Sequence, residues 1–169
     1  NPHVSLVAHV TRQELRKEFA EVEIFNGLGN RFLWCCVRRS KLLPFGGGDM
    51  RPAVEALAAK TSPALAWALG QGNQMRFTAE AMQVWEPLYG QLTADKTGLI
   101  GAALGRAEAQ VRRLAVLYAV LDRREKVDVD HLMAACAVWQ YCERSAAYIF
   151  GADSEEKDEA QEKILAFLR

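Results

Sequence analysis

GRAEAQVRRLAVLYAVLDRREKVDVDHLMAACAVWQYCERSAAYIFG, residues 105–151, decides the fold class. Val111, Leu114, Ala115, Tyr118 and Leu121 recur at helical spacing and form the apolar stripe of one amphipathic helix. Arg106, Gln110, Arg113 and Leu117 fall on an adjacent face, with Arg106 and Arg113 seven residues, or two turns, apart. A short charged connector follows, and Val127-Asp128-Val129 reads as briefly extended. Asp130 is the predicted N-cap of a second, alanine-rich helix that Gly151 closes as a C-cap glycine.

The helical pattern continues upstream. Thr78 is the predicted N-cap of a helix with the stripe Ala81, Met82, Trp85, Leu88 and Tyr89, and Pro87 is expected to kink or shorten it. Pro52 opens a helix that runs to Lys60, and another helix surrounds residues 63–69. LLPFGGGDMRP, residues 42–52, is a loop that separates these helices from an N-terminal part of different character. There VSLVAHV, residues 4–10, and RFLWCCVR, residues 31–38, are continuous apolar runs of the kind found in buried strands. Thr11 caps the helix between them, with Glu14 completing the capping box TRQE, and the turn-rich NGLGN leads into the second run. Downstream, residues 154–169 begin another helix, with acids in its first turn and Ala160, Ile164, Leu165 and Leu168 on its apolar face. The expected architecture is mainly α, with two strands at the N-terminus.

Composition narrows the function classes. The chain has 169 residues, half of them apolar, so it can bury a real core. Its 21 basic and 21 acidic residues balance, which argues against a strongly basic nucleic-acid-binding module. A basic excess is confined to residues 1–60, with nine Lys and Arg against six acids. No run of eighteen apolar residues and no signal-peptide pattern is present, so the expectation is a cytoplasmic protein with no membrane segment. Cys35, Cys36, Cys136 and Cys142 lack zinc-ribbon spacing and are expected as buried free thiols. His3, His9 and His131 are scattered without a metal-protease pattern, so no metal site is expected. Trp34, Trp67, Trp85 and Trp139 all lie in apolar stripes and are expected in the core.

Catalytic motifs are missing. The triplet at residues 46–48 has no Lys-Ser/Thr after it and does not lead from a strand into a helix, so it is a connector and not a phosphate cradle. No acidic pair follows a strand to hold magnesium, and no Ser/His/Asp or Cys/His set has supporting context. The chain by itself is expected to hydrolyse nothing.

NPHVSLVAHVTRQELRKEF, NGLGNRFLWCCVRRSKLLP, GRAEAQVRRLAVLYAVLD and HLMAACAVWQYCERSAAYIFG together resemble the C-terminal half of a family of bacterial and phage primase–helicase-type P-loop ATPases, many of them encoded on mobile elements. GNRFLW and RRLAVLYAVLD are the most specific parts of the resemblance. In that family the phosphate loop and the magnesium-binding acid lie upstream of the matching segment. The resemblance thus implies that residues 1–45 are the end of a P-loop ATPase core and 46–52 a connector. It also makes residues 53–151 a helical lid, and 152–169 a linker with the first helix of a following domain, such as a winged helix.

A more distant similarity to minichromosome-maintenance helicases and other AAA+ ring ATPases assigns roles. It places Arg31 as an arginine finger, His9 or Thr11 at the sensor position, and Arg106, seven residues before the Arg113–Ala115 triplet, as a lid residue that senses nucleotide. An asparagine is usual at the sensor position, and this chain departs from that pattern. Arg113 packs between lid helices in this scheme. Arg38, Arg39 and Lys41 are the candidate DNA contacts, although no aromatics interleave them. The implied whole protein is a ring-forming homo-oligomer that uses ATP and Mg2+ to unwind DNA or start its replication. The alternative is a non-catalytic helical module that binds a partner protein or DNA in replication.

Overall fold

Helix follows helix along the chain. The computed structural model describes residues 4–18, 26–70 and 74–151. Helix α1 is Arg12–Glu18, a single 3-10 turn spans Gly29–Arg31, and α2 is Arg51–Leu69. A two-residue strand β1, Arg76–Phe77, precedes α3, Ala79–Leu92. Then come α4, Gly98–Leu104, and α5, Ala107–Leu121. The second short strand β2, Lys126–Val127, leads into α6, Val129–Phe150. The protein is mainly α, as the periodicity requires.

The starts of α1, α3 and α6 are set by side chains that satisfy first-turn amides. Thr11 accepts from the Glu14 N–H at 3.2 Å and starts α1, with the Glu14 carboxylate accepting from its hydroxyl at 3.4 Å. Thr78 accepts from the Ala81 N–H at 3.1 Å and starts α3. Helix α6 is capped by Asp128, which accepts from the His131 N–H at 3.1 Å. The sequence favoured Asp130, but the cap lies two residues earlier. His131 makes the difference, because its Nδ1 accepts from the Asp128 N–H at 3.1 Å and closes a reciprocal box in which histidine stands where glutamate is usual.

The strands are not where apolar runs predicted them. Residues 4–10 are extended chain outside any sheet, with Val4 and Val7 89 % and 90 % exposed. Arg31 belongs to the 3-10 turn, and residues 33–40 after it carry no ladder pairing. An apolar run becomes a strand only where a neighbour completes its hydrogen bonds. The described residues supply that neighbour only between β1 and β2, which pair in parallel with Arg76 opposite Lys126 and Phe77 opposite Val127. The Thr78 N–H adds a 2.9 Å bond to the Val127 carbonyl, so the pairing sets the starts of α3 and α6 side by side.

Pro63 also behaves differently from expectation. Instead of two helices, α2 is one nineteen-residue helix through Pro63, and α3 runs through Pro87 to Leu92 without being shortened. Each ring removes one intrahelical bond, and the turns on either side hold the helix together. Helix α4 has no counterpart in the sequence reading. The helix expected over residues 154–169 lies outside the described residues.

The chain divides into two compact units. One consists of Leu33–Ala94 and Arg106–Glu143. Here α5 packs on α2, α3 and β2 through Ala107, Val111, Ala115 and Ala119, all buried, and Val127, Leu132, Ala135 and Trp139 join the core. Small side chains dominate, which lets helix axes approach closely. Gln110, which the sequence placed on the arginine face, is buried, while Leu121 of the predicted stripe is exposed. Of the tryptophans only Trp139 is fully buried, and Trp34, Trp67 and Trp85 are half-buried. Trp85 still packs edge-on against Phe77, with ring centroids 5.6 Å apart.

The other unit contains Asp95–Gly105 with the described residues up to Phe32 and those from Arg144 on. In it α4 packs on the 3-10 turn, and Ala103, Leu104, Ala146, Ile149 and Phe150 are buried. The Arg12 guanidinium lies 4.6 Å from the centre of the Tyr148 ring, a cation–π contact that holds the start of α1.

Candidate functional site

Arg106 occupies the N-cap position of α5, half-buried, with φ −127° and ψ 32°. No side chain caps the first turn of this fifteen-residue helix, whose amides point out of its N-terminus beside the Arg106 backbone. A helix N-terminus and a guanidinium together favour an anion, and Glu108 in the same turn opposes it. Arg113 is exposed on α5, so within the described residues it does not fill space between helices.

Arg31 is shaped by its turn. Gly27, at φ +83°, allows the chain to reverse, and the Arg31 guanidinium donates to the Gly27 carbonyl. A Cβ at position 27 would sit 3.1 Å from Arg31 Nη1, a side-chain tip that can shift, so it is the left-handed backbone that favours glycine here. The guanidinium is exposed but turned back on its own loop.

His9 is exposed in the extended N-terminal run, and the Thr11 hydroxyl is engaged as the cap of α1. Arg38, Arg39 and Lys41 are exposed along the extended segment after Phe32. His3 lies outside the described residues. Arg31 belongs to one compact unit and Arg38, Arg39, Lys41 and Arg106 to the other.

Two clusters escaped the sequence reading. His131, 4 % exposed, places Nε2 3.1 Å from Asp122 Oδ2 at the end of α5, while its Nδ1 serves the cap of α6. The amide of Asp128 directed at Nδ1 assigns the ring proton to Nε2, which donates to Asp122. The histidine thus ties the end of one helix to the start of the next, and the Asp-x-x-His spacing at a helix start was its signal. The second cluster is Cys35 and Cys142, whose Sγ atoms stand 3.6 Å apart. Expected as buried, Cys35 is exposed and Cys36 half-buried, whereas Cys136 and Cys142 are buried. Burial, and then the neighbouring Cys35, push the Cys142 thiol up to about 12. No sequence signal links residues so far apart.

Among the described residues no group of three His, Cys, Asp or Glu side chains is placed to hold a metal ion, and no helix is long and apolar enough to cross a membrane. No family model, curated protein or solved structure matches the chain.

Proposed function

We propose that this chain supplies the helical lid and part of the adjoining core of an oligomeric, DNA-dependent ATPase of the primase–helicase type. The observation that carries the reading is Arg106 at the uncapped N-terminus of α5, which offers a guanidinium and free amides to a phosphate from the lid side. The exposed apolar run at residues 4–10 supports it too, since such a run is suited to pair within a larger sheet. In this reading ATP with Mg2+ is held by the rest of the ATPase, and Arg106 follows nucleotide state as the lid closes. Arg31 leaves its turn to reach the nucleotide of a neighbouring subunit in a ring. There it stabilises charge on the transferring phosphoryl group, an effect worth about 10³–10⁵ in rate. His9 takes the sensor position, because the Thr11 hydroxyl is engaged at the helix cap. Arg38, Arg39 and Lys41 contact the DNA backbone. The cellular setting is the cytoplasm.

A second reading has its own support. Leu57, Leu65 and Leu69 are exposed on α2, a surface suited to a non-catalytic module that binds a partner protein or DNA in replication. Kinetics on the whole ATPase separates the two. Arg31→Ala is expected to lower kcat at least about a hundredfold with nucleotide affinity intact. Mixing it with subunits disabled in the phosphate loop restores part of the activity. Arg106→Ala weakens affinity and rate together, and the isolated chain shows no turnover. If both variants hydrolyse ATP like the parent, the arginines are structural and the binding-module reading stands instead.

A further inference from the structure

The geometry points to Cys35 and Cys142 as a thiol–disulfide exchange site, at which a low-molecular-weight disulfide of the oxidised-glutathione class is reduced while the chain closes its own disulfide. This inference is independent of the ATPase reading. The sulfurs are in contact at 3.6 Å, so a bond needs an approach of only about 1.5 Å. A second contact one residue along holds the same alignment, because the Tyr141 hydroxyl donates to the Cys36 carbonyl. The extended segment and α6 are thus registered against each other at two consecutive positions.

The two thiols differ in a way that orders the reaction. Cys35 is exposed and meets the small disulfide, and Cys142, 1 % exposed, does not. The Cys35 thiolate attacks one sulfur of the small disulfide, forming a mixed disulfide and releasing the other sulfur as a thiolate. Cys142 Sγ then attacks Cys35 Sγ, and the S–S bond to the small molecule breaks. The proton of Cys142 passes to the departing thiolate. Two protein thiols are oxidised and one small disulfide is reduced to two thiols. The raised pKa of Cys142 keeps it protonated and inert towards bulk reagents until the mixed disulfide forms against it.

Other pairings are worse placed. Cys36 is next to Cys35 in extended chain and faces the opposite way, and Cys136 lies six residues before Cys142, on a different face of α6. The closed bond joins residues 107 apart and fixes to α6 the segment that carries Arg38, Arg39 and Lys41. A loop that long gives a large restriction of the unfolded chain.

Equilibrate the chain with oxidised glutathione in mildly alkaline buffer, or with excess dithiothreitol, and map peptides without reduction. The expected product is a Cys35–Cys142 linked peptide lacking both thiol hydrogens and carrying no glutathione. Its Tm lies at least about 5 °C above that of the reduced chain. Cys36→Ser and Cys136→Ala keep the link. Cys35→Ser abolishes both the link and the Tm shift while leaving the reduced Tm unchanged, and Cys142→Ala leaves glutathione stably attached at Cys35. A wild-type chain that stays glutathionylated at Cys35, links Cys35 to Cys36, or remains reduced overturns the proposal.

Discussion

Two glycines in helices show how position, more than residue type, sets the effect of a methyl group. A Cβ at Gly101 in α4 would lie 1.8 Å from the Lys96 carbonyl oxygen, and backbone cannot yield as a side-chain tip can. Gly101→Ala is therefore expected to cost about 1–3 kcal/mol, read from the urea midpoint. Gly90 near the end of α3 has nothing within 4 Å of its added Cβ. Gly90→Ala should stabilise by up to about 1 kcal/mol by restricting the unfolded chain. Equal effects at the two positions would contradict the packing described for α4.

Cys142 carries a pH prediction at the same scale. Burial raises its folded-state value from the ordinary 9.0 to about 12, and the neighbouring Cys35 adds to the rise. The unfolded thiol then loses its proton first. The contribution to stability is whole below about 9 and falls away as pH rises towards about 12. Urea titrations of the reduced chain across that window should show a steeper alkaline loss for the parent than for Cys142→Ala. Identical slopes would mean that the buried thiol ionises as readily as a free one.

At the scale of the element, the end of α5 is the clearest case of a strained position. Asp122 is the C-cap, Arg123 adopts φ +54°, and the Arg123 and Arg124 amides bond the Val120 and Ala119 carbonyls at 3.0 and 2.8 Å. This is a Schellman closure with arginine where glycine is usual. Arg123→Gly is expected to raise stability by about 0.5–1 kcal/mol by relieving the left-handed backbone. Thermal unfolding of that variant at or below the parent Tm would show that the Arg123 side chain offsets the strain. The charged connector after Leu121 marked the end of this helix in the sequence, but with no glycine between residues 106 and 150 nothing there pointed to a left-handed cap at Arg123. The start of α3 was readable from Thr78, because a threonine cap acts on amides two or three residues away.

At the scale of the whole molecule, the unusual property is how much apolar surface stays in water. Helix α2 buries Ala64 and half-buries Thr61, Trp67 and Ala68 on one stripe, leaving Leu65 and Leu69 exposed. Replacing Leu65 and Leu69 with lysine should change unfolding stability by no more than about 0.5 kcal/mol each, since lysine is as good a helix former. Light scattering should show weaker self-association. A marked loss of stability would mean that those leucines are packed in the folded chain and not exposed to water.

What the sequence alone determined is local. Periodicity over residues 105–151 was enough for the long helices α5 and α6, because a stripe at 3.6-residue spacing requires only a helix with one buried side. The caps at Thr11 and Thr78 were legible for the same reason. The strands were only partly so, because residues 4–10 and 31–38 have strand composition but no ladder partner among the described residues, while β1 and β2, of which only Val127 was read as extended, are two residues long and have each other. The joining of α2 across Pro63, the burial of Gln110, the role of His131 between Asp122 and Asp128, and the meeting of Cys35 with Cys142 were decided by tertiary structure. Each depends on what stands opposite in space. A pattern along one segment carries no information about its neighbour until the chain has folded.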